Sequence, residues 1–213
     1  KDLILISSSE VYQEPTAIPT PEDVPLIIPD VHNPRYSYGG GKIISELLAL
    51  NYGRKDFERI VIIRPHNVFG PDMGWEHVIP QFILRAHDSI QEQPNGPINF
   101  PIQGKGTETR SFVYIDDFTE GLALAIEKGK RQEIYHVGTE EELPIASVAK
   151  KIVTAFGREI NLEPGPVTQG SAARRCPDIS KIKKLGYQPK YNFEEALSPS
   201  IDWYTKHAKE RPN

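Results

Sequence analysis

Lys1-Asp2-Leu3-Ile4-Leu5-Ile6-Ser7-Ser8-Ser9-Glu10-Val11-Tyr12 opens the chain, and Arg59-Ile60-Val61-Ile62-Ile63-Arg64-Pro65 returns the same pattern further on. Each apolar run is short, continuous and rich in Ile and Val, the signature of a parallel strand covered on both faces. The first strand, residues 3–6, should carry the serines at its carboxyl end. The second should stop at Pro65, which has no N–H to offer a ladder. Between them Ile43, Ile44, Leu47, Leu48 and Leu50 recur at helical spacing from Tyr38 to about Asn51, and the run Gly39-Gly40-Gly41 lets another backbone approach closely. Strand, helix and strand predict one right-handed crossover of a doubly wound parallel sheet.

Working outward, Pro15, Pro19, Pro21, Pro25 and Pro29 break residues 15–34 into an ordered loop. Past Gly70-Pro71 the pattern predicts a helix from His77 to about Ala86 and a short strand over Ile98-Asn99-Phe100. An alternating strand, Ser111 to Ile115, then runs to Asp116-Asp117 and a helix ending near Lys128. Tyr135-His136-Val137 reads as another strand. Two amphipathic helices, about Ser147–Phe156 and Glu194–His207, close the chain around a loop rich in Gly and Pro. There are no internal repeats.

With 213 residues the chain can bury one sizeable core, or one core and a small second lobe. A net charge of -4 and a pI near 5.9 supply no broad basic field, so nucleic acid is not an expected partner. No apolar run approaches the roughly 18 residues of a membrane span. The single cysteine, Cys176, excludes an intrachain disulfide framework and leaves too few thiolates for a structural zinc site; no metal is expected, and a reducing cytoplasm is the expected compartment.

Tyr38 and Lys42 stand four residues apart at a helix start, so they share one face, and a nearby ammonium favours phenolate over phenol. That suits the phenol to act as a base. Ser7-Ser8-Ser9-Glu10 and Pro65-His66-Asn67 fall at the carboxyl ends of parallel strands, where open α/β sheets build their sites. Five motifs stand in order: Ser-Ser-Ser-Glu-Val-Tyr (7–12), Asn-Pro-Arg-Tyr-Ser-Tyr-Gly-Gly-Gly-Lys (33–42), Arg-Pro-His-Asn-Val-Phe-Gly-Pro (64–71), Gly-Lys-Gly-Thr-Glu-Thr-Arg-Ser-Phe-Val-Tyr-Ile-Asp-Asp (104–117) and Arg-Arg-Cys-Pro-Asp-Ile-Ser-Lys (174–181). In these the chain resembles the extended short-chain dehydrogenase/reductase family, in particular its NAD-dependent nucleotide-sugar epimerases, dehydratases and decarboxylases.

The resemblance implies the carboxyl-terminal part of a Rossmann-type domain over 1–70, with a small α/β substrate-binding lobe over 71–213, some segments of which return to the main sheet. It makes Ser8 the hydroxyl that bonds the reacting sugar oxygen, Tyr38 the base and Lys42 the residue holding the nicotinamide ribose, with Ser7 and Pro65 beside the cofactor. Glu10 matches the glutamate that dehydratases and decarboxylases use on the 4-keto intermediate. Ser9 departs from the Asp of glucose-type 4,6-dehydratases and lines the sugar, as in mannose-type dehydratases and decarboxylases. Arg110 and Arg175 match the diphosphate-binding arginines, for which a forked guanidinium is well shaped. Asn67, His77, Val78 and Gln103 match substrate-contacting positions.

The implied activity is oxidation of a nucleotide-diphosphate sugar at C4, followed by epimerisation or elimination, with NAD as cofactor and a homodimer as the assembly. Decarboxylation of a nucleotide-sugar acid is the alternative, as is a non-catalytic sugar-nucleotide-binding fragment. No G-x-G-x-x-G follows a strand: Gly39-Gly40-Gly41 lacks the spacing and Gly104-Lys105-Gly106 precedes no predicted helix. The expectation is therefore a part of a longer enzyme, with the fingerprint strands absent. Such a chain should expose an apolar sheet edge and gain little thermal stability from NAD alone.

Overall fold

A computed structural model describes residues 1–166 and 172–212. In chain order it contains β1 (Asp2–Ile6), α1 (Ser37–Asn51), β2 (Arg59–Pro65), β3 (Val68–Phe69), α2 (Val78–Glu92), β4 (Ile98–Ile102), β5 (Thr109–Ser111), β6 (Val113–Tyr114), α3 (Ile115–Lys128), β7 (Glu133–Val137), β8 (Glu142–Pro144), α4 (Ile145–Ala155), β9 (Ile160–Pro164), β10 (Arg174–Arg175), α5 (Ser180–Lys183) and α6 (Phe193–Lys206). The chain divides into two compact units. One comprises Lys1–Val68, Ser111–Glu142 and Ala172–Lys190, and the other Phe69–Arg110, Leu143–Ser171 and Tyr191–Asn213.

The first unit is built on a parallel sheet in the order β1-β2-β7, with Leu3 opposite Ile60, Ile6 opposite Ile63, and Ile63 in turn opposite Tyr135. Side chains alternate across a strand, so β2 feeds two cores. Ile60 and Ile62 pack with Ala49 of α1, Leu3, Leu5 and Phe57 on one face. Val61 and Ile63 pack with Ala125 of α3, Tyr135, Val137 and Ile182 of α5 on the other. β2 is thus the strand buried on both faces that its apolar run predicts. β1 is not: Leu3, Ile4 and Leu5 are only half-buried and Ile6 is exposed, because β2 is its only strand neighbour among the described residues. Residues 15–33 form the expected loop, tied down where Thr20 bridges Pro177.

In the second unit β4 and β9 pair in parallel, Ile98 opposite Ile160. The β4 side chains Ile98, Phe100 and Ile102 are buried. Phe82 of α2 meets Phe100 edge-on, with ring centroids 5.3 Å apart. α2, α4 and α6 pack on one another, and α6 begins at a capping box in which Asn192 and Glu195 satisfy each other's backbone N–H groups.

Several sequence expectations need correction. α2 runs on from Ala86 to Glu92, because Ile79, Phe82, Ile83 and Ala86 already form a buried stripe that outweighs the polar His87-Asp88-Ser89. The single strand foreseen over 111–115 is broken at Phe112 between β5 and β6, which join different sheets, and Ile115 already belongs to α3, whose first turn places Asp116 and Asp117 at the positive end of the helix dipole. The loop expected between the last two helices contains β9, β10 and α5. No helix among the described residues is long and apolar enough to cross a membrane.

Candidate functional site

The first unit gathers Ser7, Ser8, Ser9, Glu10, Tyr38, Lys42, Pro65, Asn67 and Arg175. Beyond β1 the chain turns at Ser8, which caps a short 3-10 helix, Ser9–Tyr12, by accepting the Glu10 N–H at 3.1 Å. Ser7, Ser8 and Ser9 are buried, and Ser7 donates its hydroxyl proton to the Glu46 carboxylate.

α1 delivers Tyr38 and Lys42 to this turn. A Cβ on Gly39 would fall on the Gln13 side-chain nitrogen and lie 2.7 Å from the Glu10 carbonyl oxygen, so only glycine lets the first helical turn come this close. The glycine run is therefore inside the helix, and its first member is the contact. Alanine would gain up to about 1 kcal/mol of helix propensity at such a site, against overpacking that costs about 1–3 kcal/mol. Gly39→Ala is therefore expected to lower the melting temperature; an unchanged or raised value would show that the turn yields freely. The Tyr38 side chain is 57 % exposed. Lys42 donates to the Ile6 carbonyl at 2.9 Å, and its ammonium lies 5.7 Å from the Tyr38 ring centroid.

Arg175 is not in a loop but in β10, and it is buried. Both terminal nitrogens of its guanidinium hold the two oxygens of Glu10, Nη2 to Oε2 at 3.0 Å. The fork that the resemblance assigns to a diphosphate is thus occupied by the carboxylate assigned to the 4-keto chemistry. Arg174, one residue away, is exposed and pairs with Glu142. Asn67 adopts a positive φ of 41° after β2; its amide donates to the Ser111 carbonyl at 2.8 Å and its own carbonyl accepts the Val113 N–H. Pro65 ends β2 opposite Val137.

The remaining expected contacts belong to the second unit. His77 is exposed at the N-cap position of α2 and makes no capping hydrogen bond; Val78 is the first residue of that helix. Gln103 is exposed just after β4, and Arg110 is half-buried within β5, not ahead of it.

Sequence reasoning missed a buried polar network under the site. Arg64 grips Glu46 with Nε–Oε1 at 2.9 Å and Nη2–Oε2 at 2.6 Å, and gives Nη1 to the Tyr12 hydroxyl and the Glu22 carbonyl. Tyr12 reaches His136 Nε2 at 2.6 Å, and His136 Nδ1 meets the Asp178 carbonyl at 3.1 Å. A carbonyl can only accept, so Nδ1 carries the ring proton and the Tyr12 hydroxyl donates to Nε2. Burial lowers His136 to about 3, with the Asp178 carbonyl only partly opposing it. Burial also raises the Tyr12 phenol, against the pull of Arg64. One signal was available: Arg64 is a charge directly after the apolar run Ile60–Ile63 of a buried strand, and Glu46 lies four residues beyond Lys42.

The chain is similar to known proteins over nearly its whole length. A trifunctional UDP-glucose 4,6-dehydratase/3,5-epimerase/4-keto-L-rhamnose reductase of Arabidopsis thaliana is 32% identical over 208 residues, covering 95% of this chain and 29% of that protein. UDP-glucuronic acid decarboxylase 1 of Danio rerio is 28% identical, covering 99% of this chain and 49% of that one. The crystal structure of a dTDP-glucose 4,6-dehydratase from Streptomyces venezuelae, solved with NAD bound, superposes with a TM-score of 0.81 at 27% identity, over 99% of this chain and 62% of that one. The chain therefore spans less than two thirds of each, and its α/β architecture with parallel sheets matches part of a Rossmann-type dehydratase. The model of the NAD-dependent epimerase/dehydratase family matches residues 1–138, and the chain belongs to that family.

Proposed function

We propose that this chain forms the catalytic and sugar-nucleotide-binding part of an enzyme that oxidises a nucleotide-diphosphate sugar at C4 and then eliminates water or inverts a centre. The observation that carries this reading is that the first turn of α1, which bears Tyr38 and Lys42, packs through Gly39 on the Ser8–Glu10 turn and through Lys42 on Ile6, at the carboxyl end of a parallel strand. NAD, when bound, supplies the hydride acceptor. The residues present fit its nicotinamide-ribose end: Lys42 uses one N–H on Ile6 and keeps two for ribose hydroxyls, beside an exposed phenol.

Tyr38 takes the proton of the sugar 4-hydroxyl onto its phenol oxygen. Ser8 already accepts the Glu10 N–H, so its own hydroxyl proton is free to be donated to that same sugar oxygen. Glu10, held in a fixed orientation by Arg175, moves the proton next to the 4-keto group. A second reading, decarboxylation of a nucleotide-sugar acid, is favoured by one observation: the buried Arg175 fork already takes a carboxylate bidentately. For the assembly we propose a homodimer, a reading supported by the exposed Ile44, Leu47 and Leu48 on α1.

Incubating the full-length protein with a panel of UDP- and dTDP-sugars, including a uronic acid, tests the reading through the mass and stereochemistry of the product. Loss of water or inversion is expected; loss of carbon dioxide selects the second reading, and no change to any sugar sinks both. Lys42→Met is expected to weaken NAD binding by about 10–100-fold, the worth of a charged hydrogen-bond donor, and to slow turnover as well. Unchanged cofactor affinity by titration would leave Lys42 as a helix-surface residue.

A further inference from the structure

Tyr38, Lys42 and Glu46 follow one another at four-residue steps, so they line one face of α1. The partners of the last two are consecutive: Lys42 donates to the carbonyl of Ile6, and Glu46 accepts from the hydroxyl of Ser7. The next residue is Ser8. It caps the turn whose Glu10 carbonyl lies against Gly39, the neighbour of Tyr38, so α1 is laced both to the end of β1 and to the turn beyond it.

What anchors the lacing is Arg64 of β2. Its bidentate grip on Glu46 is buried, with side-chain exposures of 2% and 4%. The guanidinium is locked in turn by Tyr12 and Glu22, and Tyr12 by His136. Burial works against the charge of Arg64, but the hydrogen bonds to Glu46 and the neighbouring Tyr12 outweigh it and the guanidinium stays firmly protonated. Such a pair is not needed for stability, since well-packed apolar side chains of similar volume often replace a buried ion pair without loss. A planar fork on a carboxylate does what an apolar pair cannot: it admits one mutual orientation, and so one height of helix against strand.

We propose that Glu46 and Arg64 are positioning residues that set the height of Tyr38 along the end of β1 and thereby align its phenol oxygen with Ser8 on the reacting hydroxyl. The proposal rests on Tyr38 being the base. Reacting groups need placement within about 0.5 Å, and a helix rises 1.5 Å per residue, so a shift of a fraction of one residue is enough to matter.

The test is Glu46→Leu combined with Arg64→Met in the full-length enzyme, which removes both charges together and keeps the volume. A melting temperature near that of the wild type is expected, with KM for nucleotide sugar and NAD within about twofold and kcat lowered by about 10–100-fold, the usual cost of a misplacement near 1 Å. The kinetic isotope effect on kcat with C4-deuterated substrate should rise, because hydride removal becomes the slow step. Wild-type kcat with an unchanged isotope effect overturns the proposal. Glu46→Asp keeps the buried charge paired but is one methylene too short to hold Ser7 and Arg64 together. If the double variant does not fold, wild-type kcat in Glu46→Asp overturns the proposal in its place, and a reduced kcat at constant KM supports it. Tyr38→Phe in the same assay separates the failures: full turnover there sinks the assignment of the base, whereas an inactive Tyr38→Phe beside a fully active double variant sinks only the positioning role.

Discussion

Replacing Tyr38 by phenylalanine in the full-length enzyme is expected to lower turnover by about 10²–10⁴-fold, the usual contribution of a positioned acid–base group, while nucleotide-sugar binding changes little. The ring is retained, so the contact with the Lys42 ammonium and the first turn of α1 should persist. Only the oxygen proposed to accept the 4-hydroxyl proton is lost. Because that oxygen works when the C4–H bond breaks, the loss belongs in kcat and kcat/KM together, with KM nearly constant. A variant that turns over as fast as the wild type would remove Tyr38 from the chemistry and leave it an exposed surface residue. A variant with normal kcat and raised KM would make it a binding residue.

Stability is expected to fall steeply as pH drops from 7 to 5, for a reason seated in the polar network. Burial holds His136 neutral down to about 3 and lowers His66 well below its ordinary value. The two rings meet edge-on at 4.6 Å, and neither His66 nitrogen has a hydrogen-bond partner among the described residues. Both histidines bind protons near pH 6.5 in the unfolded chain and not in the fold. Between about pH 6.5 and 3 the unfolded state therefore binds more protons, and stability rises with pH across that window. For His136 alone the loss by pH 5 is about 2 kcal/mol, and His66 adds in the same direction.

Glu22, whose carboxyl is raised chiefly by burial, works the other way: it gains protons in the fold before it does in the unfolded chain. Its contribution is present at low pH and lost as pH rises through its folded value, so it softens the slope without reversing it. The lowered carboxyl of Asp178 matters only below its unfolded value near 3.8, and there it adds to the acid loss. Urea unfolding at pH 7 and pH 5 measures the difference. His136→Gln can keep one donor towards Asp178 or one acceptor for Tyr12 but cannot titrate, so its loss between the two pH values should be smaller by about 2 kcal/mol. An equal loss in variant and wild type would place the acid sensitivity elsewhere.

The parts of this protein that were legible in its sequence are those fixed by neighbours along the chain. Ile60-Val61-Ile62-Ile63 reads as a buried strand and the stripe from Ile43 to Leu50 as a helix, because hydrophobic periodicity is a local property. The same locality put Tyr38 and Lys42 on one face and set Ser8 at a strand end. β9 was missed because Ile160-Asn161-Leu162 is too short to declare itself and gains its identity from β4, whose Ile98 lies opposite Ile160. Arg64 and Glu46 were legible as residues but not as partners; the β1–α1–β2 crossover brings them together, and burial then makes pairing obligatory. Glu10 and Arg175 are 165 residues apart, and no spacing rule reaches so far. The sequence by itself determined the crossover and the placing of Tyr38 and Lys42 on one face of its helix. Tertiary structure alone decided which charges meet, because a carboxylate taken out of water must find a donor wherever the fold happens to supply one.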